Sequence, residues 1–208
     1  MGRTYGGVSA AQRQEDRREQ LLAAGLEVLA TEGWPGATVR AICREAELTS
    51  RFFYESFESV EELASELFDR ALATANEAVV AAVGNASRDP HERNRVAIET
   101  FVRELTADPR IGRLVFVEAL GNDVLARRRR TALGAIAEAL LAGKGRSRRP
   151  PGASATYRHT VATVLVGGLA ELLVAWMNGD VDAGLAQLVD DYVRLANDVG
   201  DRTWQPRS

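Results

Sequence analysis

Apolar residues recur at three- and four-residue spacing along almost the whole chain, and no stretch alternates apolar and polar side chains as a half-buried strand would. The pattern predicts an all-α protein of about nine helices. Gln12 to Glu32 places Leu21, Leu22, Gly25, Val28 and Leu29 on one side, Gly33 stops it, and Trp34-Pro35-Gly36 turns the chain. Val39 to Ala46 follows behind Thr38, a hydroxyl N-cap, with Val39, Ile42, Cys43 and Ala46 forming its apolar face. Glu47-Leu48 turns, Leu48 pointing inward, and Thr49 stands where a cap for Ser50 to Phe57 belongs. Phe53 and Phe57, four apart, share one face of that helix. Ser59-Val60-Glu61-Glu62 is a capping box, so a longer helix, Glu61 to Val83, starts there.

The same signals continue downstream. Asp89-Pro90-His91-Glu92 caps a helix that runs to about Thr106. Asp108-Pro109 opens the next, with Ile111, Leu114, Val115, Val117 and Leu120 apolar, and Asn122 to Leu141 follows Gly121. Residues 142–155, rich in Gly, Pro, Ser and Arg, read as a mobile linker. Tyr157 to Asn178 is apolar nearly all round and stops at Gly179; Asp182 to Val199 closes the chain. Thr160 to Met177 carries one charge, Glu171, and has the length of a membrane span. No second span accompanies it, Arg158 and His159 sit right at its start, and a helix buried on its own core and on a partner shows the same composition. No membrane partner is expected.

Thr38 to Leu63 therefore packs two short helices, a tight turn and a new helix start into one small unit, an arrangement that holds a second helix across a first and presents it to the DNA major groove. The stretch EQLLAAGLEVLATEGWPGATVRAICREAELTSRFFYESFESVEEL resembles the N-terminal domain of the tetracycline-repressor (TetR) family of bacterial transcription regulators. The resemblance implies a helix-turn-helix DNA-binding head over residues 1–63 and a helical ligand-binding and dimerisation body over 64–208. It places Arg40 on a base edge, Ser50, Arg51 and Phe52 at the start of the recognition helix, and Thr38, Thr49 and Tyr54 on phosphates. Core packing is the alternative role for Phe52 and Tyr54. Three residues depart from the family pattern: Glu47 and Arg51, where glycine is common, and Val60, where a lysine usually touches DNA.

Charge adds little support. The net charge is −3, and residues 1–57 hold seven arginines against eight acidic residues, so DNA contact must rest on local placement of a few cations. The run Arg127–Arg130 reads as a solvated helix face rather than a second nucleic-acid site, with Arg146, Arg148 and Arg149 as further members of any basic patch. Cys43, the sole cysteine, reads as a small buried hydrophobe. No charged-then-apolar leader opens the chain, and a cytoplasmic location is expected. Two histidines and one cysteine make no metal cluster, Gly143-Lys144 lacks the rest of a phosphate-binding loop, and no nucleophile stands beside a base; no metal, cofactor or catalysis is expected.

The body is expected to carry a homodimer interface and an effector pocket. The wording VATVLVGGLAELLVAW resembles the family's penultimate helix, which with the last helix forms a four-helix bundle across a two-fold axis. Leu165, Gly168, Leu169, Leu172, Leu188, Tyr192 and Leu195 are the expected interface residues. Phe101, Leu105, Phe116, Leu120, Tyr157 and Trp176 are the large side chains expected around a small-molecule pocket, although each also suits ordinary packing. The DNA-binding half of the reading follows from these residues together with the resemblance, and the resemblance implies the rest: a dimeric, ligand-responsive transcriptional regulator, most simply a repressor of its operator. The alternative is a helical protein–protein adaptor that no longer binds DNA.

Overall fold

In the computed structural model, residues 10–144 and 154–204 are described, and among them every regular element is helical. The nine α-helices are α1 (Ala10–Gly36), α2 (Val39–Glu45), α3 (Ser50–Tyr54), α4 (Val60–Asn85), α5 (Pro90–Thr106), α6 (Pro109–Gly112), α7 (Asp123–Lys144), α8 (Ala155–Met177) and α9 (Leu185–Trp204). The expected linker lies mostly outside the described residues, as do Arg146, Arg148 and Arg149.

Capping side chains start the helices where the sequence places them. Amide N–H groups donate to Thr38 Oγ1 from Ala41, to Ser59 Oγ from Glu62, to Asp89 from Glu92, and to Asp108 Oδ1 from Arg110. Thr49 differs: it holds the N-cap position of α3 but makes no capping bond, and α3 itself ends at Tyr54 rather than Phe57. Gly33, at φ +66, interrupts the helical path of α1 before Trp34. Glu47 is the one described non-glycine residue with positive φ, +52, so the turn after α2 takes the left-handed geometry for which glycine is better suited. The Leu48 N–H closes that turn on the Cys43 carbonyl, 2.9 Å away.

The expected single helix from Pro109 to Leu120 is three pieces: α6, a π-helical turn over Arg113–Val117, and a 3-10 turn over Glu118–Leu120. A π-turn fits one extra residue per turn, a feature that concentrates at functional sites.

Two apolar cores meet within α4. The head core gathers Leu21, Leu22, Ile42, Phe53, Phe57, Val60 and Leu63; the body core begins at the next residue, Ala64, and takes in Phe68, Leu105, Leu114, Leu125 and Leu173. Leu26 and Leu29 of α1 pack into the body core, and Trp34 touches both. Val60 thus fills head core, so no phosphate contact is available from that side chain as it stands. Cys43 is buried in the same core, and burial pushes its thiol above the ordinary range.

Ion pairs fasten α1 to α4. Arg18 forks onto Glu66, Arg70 bridges Glu66 and Glu19, and the Arg18 hydrogen bonds hold the Glu66 carboxyl below the usual carboxylate range. The α8 helix is apolar enough to cross a membrane, yet its buried face closes the bundle against α7 and α9.

Candidate functional site

The head presents the expected contact residues to solvent. Thr38, Arg40, Thr49, Ser50, Arg51 and Tyr54 are all exposed, Tyr54 at 63%, with its ring edge-on to Phe53. Phe52 is half-buried beneath the Arg17 guanidinium, which stacks 4.5 Å above its ring. Arg51 pairs with Glu55 at 2.9 Å and Arg44 with Glu32 at 3.2 Å. Arg40 has no ion-pair partner among the described residues, so it can engage a new acceptor without breaking a pair. Arg17 was not anticipated from the sequence. Its signal was available, because it precedes the predicted core face by only four residues on a helix that starts near residue 12.

A cavity of about 620 Å³ runs through the body between α4, α5, α7, α8 and α9. Its lining along α4 extends from Phe68 to Val83, about 22 Å at 1.5 Å per residue. Side-chain contacts fix which end is which. Arg128 pairs with Asp69, and Arg129 with Glu171 at 2.6 Å, so these residues sit at the end nearest the head. Arg93 donates to the Val83 carbonyl, 2.9 Å away, at the far end. The head end is closed by Phe68, Leu105, Val115, Phe116 and Leu173, all under 5% exposed. The cavity opens further along, where Val80 is 74% exposed and Asn76, Arg88 and Ala139 also reach solvent.

Of the six residues expected around a pocket, Phe101, Leu105 and Phe116 line this cavity. Leu120 and Tyr157 lie outside its lining, about half exposed, and Trp176 also lies outside, its indole N–H donating to the Ala183 carbonyl at 3.1 Å. The Arg127–Arg130 run is not a uniformly solvated face. Arg129 turns inward to the cavity, its side chain 12% exposed.

The residues expected at a dimer interface divide. Leu165, Leu188 and Tyr192 are buried within the protomer, and the Tyr192 hydroxyl donates to the Leu165 carbonyl at 2.6 Å. Burial pushes the Tyr192 phenol upward. Leu165, Leu169 and Tyr192 also line the cavity. Leu169 and Leu172 are half-buried, whereas Gly168 and Leu195 face solvent, with Val164 beside Gly168 on α8 at 64% exposure.

A buried carboxylate joins head and body. Glu118, 7% exposed, accepts the Trp34 backbone N–H at 2.9 Å and pairs with Arg113 at 3.0 Å. It follows the π-turn that supplies Val115 and Phe116 to the cavity wall. Among the described residues no cluster of His, Cys, Asp and Glu could hold a metal ion.

Residues 21–67 match the family model described as bacterial regulatory proteins, tetR family. No curated protein matches the chain. Among solved structures, the fatty acid degradation regulator FadR from Bacillus halodurans is 20% identical, with a TM-score of 0.70 over 86% of this chain and 94% of that one. FadR from Bacillus subtilis in complex with stearoyl-CoA is 18% identical, with a TM-score of 0.70 over 86% and 96%. A TetR-like transcriptional regulator from Rhodococcus sp. RHA1 is 19% identical, with a TM-score of 0.68 over 94% and 97%. At these identities the likeness is one of fold.

Proposed function

We infer from its place in the tetR family of bacterial regulatory proteins that this chain binds operator DNA as a homodimer in the cytoplasm and represses transcription until a small molecule fills the body cavity. The observation that carries the reading is the matched head, whose α3 presents Ser50, Arg51 and Tyr54 to solvent while Phe53 anchors it to the core. Residues 1–63 serve as the DNA-binding unit and 64–208 as the regulatory unit, with α1 and α4 shared between their cores.

Arg40 donates to a base edge, guanine being the best acceptor for a two-bond arginine fork. Ser50, Arg51 and Phe52 enter the major groove. Thr38, Thr49 and Tyr54 hold phosphates, and Thr49, free of capping duty, has its hydroxyl available for that role. For the effector half, the support is the mainly apolar cavity, closed at its head end, and the FadR neighbour solved with stearoyl-CoA. An occupant pressing on Val115 and Phe116 acts on the segment that carries Glu118, and through it on Trp34 of the head. That shifts the separation of the two recognition helices, which must lie about one DNA turn apart to fill both half-sites.

Electrophoretic retardation of a fragment carrying the protein's own promoter tests the DNA half. A discrete complex is expected, and Arg40→Ala should weaken it by about 1–3 kcal/mol while relaxing base preference at one position in each half-site. Unchanged affinity and preference in that variant would remove Arg40 from the contact set. A wild-type protein that retards no fragment specifically would favour the adaptor reading.

A further inference from the structure

Arg129 is an arginine placed where arginines are rarely found. It lies at the closed end of an apolar cavity, 12% exposed, with Glu171 as its only hydrogen-bonding partner among the described residues. Glu171 is 65% exposed, so the pair is screened by water on one side. Such a pair is weak and does not explain withdrawing a guanidinium into apolar surroundings, where charge is expensive unless well paired. One N–H group serves Glu171, and the rest of the five-donor fork remains for a second anion. The cavity's shape limits what can bring that anion. Its lining extends about 22 Å along α4, and most of that lining is aliphatic or aromatic, which suits a long apolar tail.

We propose that the cavity takes a long aliphatic carboxylate, acid group inward on Arg129 and tail toward the open end between Val80 and Val83. The proposal rests on reading the cavity as the effector site. With carbon–carbon bonds of about 1.5 Å, each methylene advances about 1.25 Å, so about 22 Å accommodates about 16–18 carbons. Glu171 keeps the guanidinium oriented while the ligand carboxylate takes its remaining edge, a charge-assisted and directional contact. Phe68, Phe101 and Phe116 wall the carbons nearest the acid group.

The test is calorimetric titration of the full-length protein with hexadecanoic acid, 1-hexadecanol and hexadecanoyl-CoA, each below its aggregation threshold. The acid should bind roughly 10- to 100-fold more tightly than the alcohol, the span expected for hydrogen bonds to a charged group. Arg129→Met should bind the acid no better than the alcohol, with alcohol affinity unchanged, and Arg129→Lys should recover part of the preference. Equal affinity for acid and alcohol in the wild-type protein would overturn the proposal without any variant, as would absence of acid binding. So would a thioester that binds more tightly than the acid and is indifferent to Arg129→Met, because its charged group would then lie at the mouth. Operator affinity measured in the same samples separates the two readings. Arg129-dependent acid binding with unaltered operator affinity would leave this site standing and remove the switch. Operator release by some other molecule, with no acid binding, would do the reverse.

Discussion

Gly168→Leu is expected to yield a folded monomer that no longer holds operator DNA. Within the protomer nothing lies within 4 Å of a side chain started at Gly168, and the residue is exposed on α8 beside Val164. Leucine is also the better helix former, by about 0.8 kcal/mol, so the isolated subunit should melt no lower than the wild-type subunit. The loss must therefore come from between subunits. If the exposed stripe of α8 and Leu195 of α9 meet their two-fold mates, each added side chain enters a space already filled by the partner's helix. Overpacking costs about 1–3 kcal/mol per site, and the symmetry applies it twice. A monomer brings one head to DNA and loses the high effective concentration that joins the second half-site to the first. Sedimentation should show a single subunit with unchanged helical content, and retardation of the operator fragment should disappear. A variant that sediments as a dimer places the self-association face elsewhere on the protein.

The head was legible in the sequence because its information is local. Thr38, Ser59 and Gly33 each act within one turn of themselves, and the structure shows two capping bonds and one left-handed break at those positions. The body's features are less local. The π-turn at Arg113–Val117 shares the apolar spacing and Asp108 cap of an ordinary helix, so periodicity cannot separate the two. The α8 helix is apolar on every side, which hides the inward side that Leu165 and Leu173 take from the outward side of Val164. Arg129 was recoverable. Four consecutive helical residues sweep about 300°, so a run of four arginines on an amphipathic helix must turn one toward the interior. Leu125 four before Arg129, with Leu133 and Ile136 four and seven after, marks which one. The cavity itself arises from five helices brought together by the tertiary fold, and no single helix announces it.

Glu118→Ala is expected to disconnect the cavity from the head. The carboxylate accepts the first backbone N–H after the break at Gly33, and Trp34 packs against both cores, so this bond ties the turn between α1 and α2 to the body. Removing it leaves a part-buried N–H without its acceptor, a loss of about 1–3 kcal/mol in stability. The functional effect is larger in proportion. A hundredfold ligand-induced change in operator affinity needs about 2.7 kcal/mol of coupling between the sites. The route from Phe116 to Trp34 passes through a π-turn, which relaxes to α-helical winding by shedding one residue and so turns whatever follows it. With hexadecanoic acid as the probe, the wild-type protein should lose operator affinity by about that factor, whereas Glu118→Ala should bind the acid as before and lose no operator affinity. Glu118→Gln is the control. Its amide oxygen still accepts from Trp34, so the response should survive although the charge toward Arg113 is gone. Full ligand response in the alanine variant, with its melt showing a folded head, would mean that α4, which both cores share, carries the signal instead.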